Sequence, residues 1–238
     1  MVKLEKEDIE IPVEEDNISL KASIYSTSNT PTSAPFIINM PGLLDHRESK
    51  FVKFYSEKFA KAGFYVLVYD YRAHGETKKE TGSRWDKMIL EIFSDLDRVI
   101  NWTLKTQSKK IQNRELHLFG RSLGGAIILT HGFMNDHTTK LIALCTRYDY
   151  HTTIIKFPEE TIRKMSPKYF LETRNNNNKR IMIAHCNDDK RIPFKNVNQI
   201  QSHLGLSNSN VLQYESGGHS FRGHREEIFK KALEFLKN

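Results

Sequence analysis

The sequence predicts an α/β fold built on one mostly parallel sheet, with helices on both of its faces, across a single domain of residues 1–238. Three observations carry this. Short continuous apolar runs, "FIINM", "FYVLVYD", "ELHLFG", "KLIALC" and "KRIMIAHC", read as strands covered on both faces. Segments with helical spacing alternate with them, which calls for β-α-β crossovers and parallel pairing. The 38% of hydrophobic residues in a chain of 238 supply a sizeable core, while 27% of charged residues solvate the surface.

Taken in order, "DIEIPV" and "NISLKASIY" alternate apolar and polar residues with period two and predict an antiparallel hairpin at the sheet edge. A polar linker, "STSNTPTSAP", leads into "FIINM". The segment "ESKFVKFYSEKFAKAG" places Phe51, Phe54, Tyr55, Phe59 and Ala62 on one helical face and stops at Gly63. After "FYVLVYD" comes a long amphipathic helix, "WDKMILEIFSDLDRVINWTLKTQ". The strand "ELHLFG" is followed by an apolar helix, "LGGAIILTHGFM". The last third contributes the helix "FKNVNQIQSHLG", the strand "NVLQYES" and a closing helix, "HREEIFKKALEFLKN". Residues 146–178 break the alternation and read as a small lid-like insertion of one or two short helical pieces. Its asparagine run, Asn175 to Asn178, reads as a mobile loop.

Composition narrows the function classes. The formal charge of +7 is spread over scattered lysines, with Lys78-Lys79, Lys109-Lys110 and Lys230-Lys231 the densest pairs. No stripe of basic and aromatic residues appears, so nucleic acid is not an expected partner. Two cysteines, Cys145 and Cys186, cannot build a disulfide framework for a chain of this size, and both end apolar runs, so they read as buried free thiols. With no signal-peptide core and no run of membrane-spanning length, the expected location is cytoplasmic, without membrane insertion. No H-E-x-x-H, paired C-x-x-C or glycine-rich phosphate loop is present, and no cofactor or metal is expected. A small-molecule substrate is the expected partner, and nothing in the chain argues against a homodimer.

The chemistry-bearing stretch is "FGRSLGG". Ser122 stands between a strand and a helix, with Gly120 and Gly124 on its flanks, in the G-x-S-x-G pattern of a nucleophile elbow. A tight polar turn would use the same residues, but small neighbours also let strand and helix approach closely around an exposed hydroxyl. The helix beginning after Ser122 directs its amides toward developing negative charge, and the Leu123 amide is the expected first oxyanion donor.

Serine needs a base and the base an orienting carboxylate. In an open α/β sheet these groups gather at the carboxyl ends of strands. His219, in "YESGGHSF", follows the last strand, where Gly217 and Gly218 give the loop freedom to fold over the sheet. His185 lies inside an apolar run and reads as a core or sheet-edge residue, and His46, His137, His151, His203 and His224 read as surface residues. His74, in "YDYRAHGET", fits a structural or a functional role. The carboxylate comes from Asp188 or Asp189 after "IMIAHC", either of which also suits a turn or a helix start. The resulting order, Ser then Asp then His, matches the α/β-hydrolase arrangement.

On these residues the chain resembles the α/β-hydrolase superfamily, and within it compact carboxylesterases of the dienelactone-hydrolase and cinnamoyl-esterase type, from "FIINMPGLLDHR" to the final helix. The resemblance implies the α/β-hydrolase fold. It selects Asp189 as the acid, because "DKRIP" fits a D-x-x-[VI]-P pattern. It also likens "YDYRAHGET" to a Y-R-G-H-G-x-S turn, with Ala73 in place of glycine. It implies a second oxyanion donor after "FIINM", the amide of Leu43, although Pro41-Gly42 replaces the usual His-Gly. The expected function is hydrolysis of carboxylic esters with small or short acyl groups through an acyl-enzyme on Ser122, with Asp189 and His219. The alternatives are a peptidase or aminopeptidase, a thioesterase, and a non-catalytic binding module. Tyr148, Tyr150, Phe157, Met165 and Tyr169 are candidates for an apolar pocket wall or for core packing beneath the insertion.

Overall fold

The structure, a computed structural model, describes residues 3–107 and 115–238; the Lys109-Lys110 pair lies outside them. By their internal contacts they form two compact units, Met1–Leu118 and Phe119–Asn238.

In the first unit β1 (Leu4–Val13) and β2 (Ile18–Thr27) form the expected hairpin, paired antiparallel from Leu4↔Thr27 to Val13↔Ile18. Asn17, at φ 52, makes the reversal in the left-handed conformation that its short polar side chain tolerates. Strands β3 (Phe36–Met40) and β4 (Tyr65–Tyr69) are buried at every position, as their continuous apolar runs require. They pair in parallel, β4 also pairs antiparallel with β2, and the order β1-β2-β4-β3 leaves the hairpin at the edge.

Helix α1 (Lys50–Lys61) buries Phe51, Val52, Tyr55 and Phe59 along one stripe, and Gly63 follows its end at φ 100. A short helix not expected from the sequence, α2 (Gly75–Thr81), follows the "YRAH" turn. The long helix α3 (Ile89–Thr106) buries Ile92, Phe93, Leu96, Val99 and Ile100. It starts four residues later than the apolar pattern suggests, because residues from Arg84 to Met88 close turns of their own.

Strand β5 (Leu116–Arg121) follows, and with β6 (Thr138–Leu144), β7 (Ile181–Cys186) and β8 (Val211–Tyr214) it brings the strands among the described residues to eight. The β6–β7 and β7–β8 pairs are parallel, starting at Leu141↔Ile181 and Ile183↔Val211. Helix α4 (Leu123–Ile127) runs into a π-helical turn, Ile128–Gly132, where the Thr130 hydroxyl donates to the carbonyls of Ala126 and Ile127. Helices α7 (Lys195–Leu204) and α8 (Arg225–Lys237) bury Val197, Ile200 and Leu204, and Ile228, Ala232 and Leu236.

The insertion contains α5 (Glu159–Met165) between two short 3₁₀ turns, Tyr150–Thr152 and Pro167–Tyr169. The asparagine run corrects the expectation of a mobile loop. Helix α6 (Asn177–Arg180) begins inside it, and Asn177 is fully buried, donating from Nδ2 to the carbonyls of Glu172 and Leu204 at 2.9 and 2.8 Å. A buried amide that bridges two carbonyls orders backbone that composition alone marks as loop.

Candidate active site

Four of the five residues singled out by sequence lie in the second unit: Ser122, Leu123, Asp189 and His219. Ser122 occupies the strand-to-helix turn at φ 60 and ψ −116, a conformation costly for a residue with a side chain. Its amide donates to the Leu144 carbonyl at 2.8 Å, and its carbonyl caps α4 by accepting from Ala126. The turn is therefore held by backbone on both sides. Leu123 is the first residue of α4, with its amide at the start of the helix.

The glycine pattern has a measurable reason at Gly125. A Cβ there would sit 2.0 Å from Thr146 Oγ1 and 3.2 Å from Thr146 Cβ, so only glycine lets α4 lie this close to the end of β6.

His219 stands in the loop after β8, where Gly217 at φ 124 and Gly218 at φ 60 take conformations open to glycine. Its Nδ1 lies 2.8 Å from Asp189 Oδ2. Since the ionised carboxylate can only accept, Nδ1 carries the proton and Nε2 is left as the basic nitrogen. Burial lowers the His219 pKa; Asp189 acts in the opposite sense, and the charges of Arg121 and Arg191 reinforce the lowering.

Asp189 sits in the turn after β7. Its Oδ1 accepts from the amides of Arg191 and Ile192 at 2.8 and 3.1 Å. Burial would raise its pKa, but hydrogen bonds from His185, His219 and the Ile192 amide hold it well below the usual carboxylate range. Asp188, the alternative acid, takes a different place: its carboxylate accepts from the amides of Gly217 and Gly218 at 3.2 and 2.7 Å. One aspartate therefore meets the imidazole and its neighbour fastens the loop that carries it.

Three contacts were not legible in the sequence. Arg121, inside the G-x-S-x-G motif, is buried and donates from Nη1 to Ser220 Oγ at 3.1 Å and toward the His219 carbonyl at 3.5 Å. It joins the residue before the nucleophile to the histidine loop. Cys145, fully buried at φ 46, brings its Sγ within 4.8 Å of the ligating atoms of both Asp189 and His219. His185, read as a core or sheet-edge residue, lies 3.4 Å from Asp189 Oδ2. Only the four-residue spacing from His185 to Asp189 hinted at the last of these.

In the first unit, Leu43 occupies a turn closed by the Asp45 amide on the Gly42 carbonyl at 3.0 Å, with Leu44 at φ 65. This turn runs into a buried polar cluster. The Arg47 amide donates to Asp70 Oδ1 at 2.7 Å and the Glu76 amide to Oδ2 at 2.8 Å. A Cβ on Gly75 would meet Asp70 Oδ2 at 2.2 Å, so glycine is required there. His74 is buried, neither ring nitrogen has a hydrogen-bond partner among the described residues, and burial lowers its pKa to about 4. It is neutral at pH 7.

Of the insertion candidates, Met165 is fully buried and Tyr169 is exposed with Arg163 over its ring, while the Tyr148 hydroxyl lies 2.9 Å from His203 Nδ1.

Residues 34–203 match the family described as serine aminopeptidase, S33. The chain belongs to that family. Its S33 match spans the strand-turn-helix around Ser122 and the Asp189 turn, and His219 follows it. Among solved structures, this S33-family chain is similar to the ferulic-acid-bound Est1E of Butyrivibrio proteoclasticus, with a TM-score of 0.75 at 18% identity over 96% of this chain and 98% of that one. It is also similar to a dienelactone hydrolase from Anabaena variabilis, with a TM-score of 0.71 at 15% identity over 98% and 97%. The acylaminoacyl peptidase of Pyrococcus horikoshii gives 0.75 at 17% identity over 99% of this chain but 41% of that one. These likenesses establish the α/β-hydrolase fold, with its mostly parallel strands and antiparallel β1–β2 pair.

Among curated proteins, an uncharacterized 31.7 kDa protein of Escherichia coli is 36% identical over 76 residues, 32% of this chain and 25% of that protein. The quorum-quenching protein AidA of Acinetobacter baumannii is 22% identical over 162 residues, 66% of this chain and 50% of that protein. The chain thus spans between a quarter and half of these relatives. No helix among the described residues is long and apolar enough to cross a membrane.

Proposed function

We propose that this hydrolase-family chain is a serine esterase acting on carboxylic esters with small or short acyl groups. Ser122 Oγ attacks the acyl carbonyl while His219 Nε2 takes its proton, and Asp189 holds the imidazole in the required tautomer. The tetrahedral oxyanion is received by the Leu123 amide at the start of α4. Collapse of the intermediate expels the alcohol, protonated by His219, and water then releases the acid from the acyl-enzyme by the same relay. The observation that carries this reading is the 2.8 Å bond from His219 Nδ1 to Asp189, in the same unit as a serine held at φ 60 between strand and helix.

The family's description and the likeness to an acylaminoacyl peptidase favour a second reading, in which the same relay cleaves an amide. Thioester cleavage and a binding role without turnover are further alternatives. Amide cleavage requires His219 to protonate an amine leaving group, and a free-amine substrate requires acidic residues to grip it.

The test is labelling with a fluorophosphonate probe, followed by mass spectrometry and turnover of esters, thioesters and aminoacyl amides. The expected result is an adduct on Ser122, with ester turnover that falls roughly 10⁴-fold or more in Ser122→Ala. Faster turnover of aminoacyl amides than of esters would install the peptidase reading. A folded protein that neither labels nor turns over any of the three would leave the binding role.

A further inference from the structure

We infer that His185 is a positioning residue for the acid–base pair, holding the turn of Asp189 closed from inside β7; this rests on the triad reading above. Its Nε2 lies 2.9 Å from the Ile192 carbonyl and 3.4 Å from Asp189 Oδ2. A carbonyl only accepts, so Nε2 carries a proton, and the same N–H is shared with the carboxylate oxygen that receives His219. One side chain thereby fastens both ends of the turn, the acid at its start and the carbonyl of Ile192 near its finish.

The distribution of donors makes this contact consequential. Asp189 Oδ1 is occupied by two amides of the turn itself, Arg191 and Ile192. Oδ2 faces the two imidazoles, 2.8 Å from His219 and 3.4 Å from His185, and the Cys145 thiol also meets the carboxylate. If the Ile192 carbonyl is released, the end of the turn loses its tie to β7, and the neighbouring peptide, whose Ile192 amide donates to Oδ1, is held less firmly. The carboxylate then rotates away from His219. A core histidine kept only for packing would need one acceptor, and Ile192 supplies it. The approach to Asp189, with both side chains at 1% exposure or less, is the additional feature. Phe194, edge-on to the ring at 5.8 Å, fixes its orientation.

The experiment compares His185→Phe, His185→Gln and His185→Asn, each checked for folding by circular dichroism. Glutamine can return an N–H to the position of Nε2, whereas asparagine is too short to do so. Each variant is read by kcat and KM on the best ester and by the NMR titration of His219. We expect His185→Phe to lower kcat about tenfold with KM changed less than twofold, the scale on which losses of orienting partners are felt. His219 should titrate at lower pH, having lost its anionic partner, and His185→Gln should recover most of both properties. If His185→Phe fails to fold, the contrast of Gln retained and Asn impaired carries the same expectation. Wild-type kcat and His219 titration in the folded Phe variant, or Gln and Asn behaving alike, would overturn the inference. Absence of turnover and of labelling in the wild-type protein would instead defeat the triad reading. The His219 titration would then still report whether His185 orders the turn.

Discussion

At Arg121 the motif around the nucleophile reaches across to the loop of the base. A guanidinium there adds positive charge near an imidazole whose pKa burial already lowers. His219 works as a base only when neutral, so ester turnover should persist below pH 6.5, with the acid limb of kcat/KM under the ordinary histidine value. Removing the charge in Arg121→Met should move that limb to higher pH, which a pH-rate profile of the two proteins would reveal. The same lowering has a stability consequence. A neutral buried histidine and a lowered aspartate both favour the folded state above their unfolded pKa values, and that contribution is lost as pH falls. Much of the candidate site could be read at this scale, because Ser122, Asp189 and His219 each occupy a strand's carboxyl end. Arg121 could not, since its partners His219 and Ser220 lie in a loop far along the chain, and His185 could not, since its contacts depend on how the turn after β7 folds back onto the strand. No periodicity encodes such contacts.

For single elements, the approach of α4 to the end of β6 makes a tight demand on the chain. Gly125→Ala should destabilise the protein by about 2 kcal/mol, as overpacking typically does, seen as a lower urea midpoint. Thr146→Ala added to it should recover part of the loss, because the 2.0 Å clash is with the threonine hydroxyl. In the insertion, His151 bridges Asp149 and Glu159, both at 2.7 Å. Arg163 also meets Glu159, and Lys168 meets Asp149. Hydrogen bonding to Glu159 and then Asp149 raises the His151 pKa. The bridge is complete below the unfolded histidine pKa and is lost as pH rises through the folded one, so NMR should show His151 titrating above 6.5. Element type was largely legible, since continuous apolar runs and helical stripes respond to burial. The exceptions were α2 and α6. In the first, an Asp70 side chain receives the Glu76 amide in the first turn; in the second, Asn177 is recruited into the interior. Both depend on partners that composition does not announce.

Across the whole molecule, the charge balance is less uniform than +7 implies. The first unit contains a buried pair, Arg72 with Asp95, its Nε donating at 2.8 Å, and Arg72 also reaches Asp16 at 2.8 Å. Replacing Asp95 with Asn leaves a buried guanidinium short of charge and should cost about 3 kcal/mol in chemical denaturation. The fold follows from the order of elements along the chain, which the sequence displays directly. Substrate does not, because fold and substrate are set by different residues.

The two cysteines add a property of another kind. Cys145 and Cys186 are both free and buried, and burial pushes both thiols up, Cys186 to about 12. Neither reacts readily while the chain is closed. Cys145 lies beside the acid and the base, so a chromogenic disulfide reagent can reach it only when that neighbourhood opens. The protein therefore has a built-in clock: the rate at which this sulfur is consumed counts the moments at which the candidate relay is disassembled.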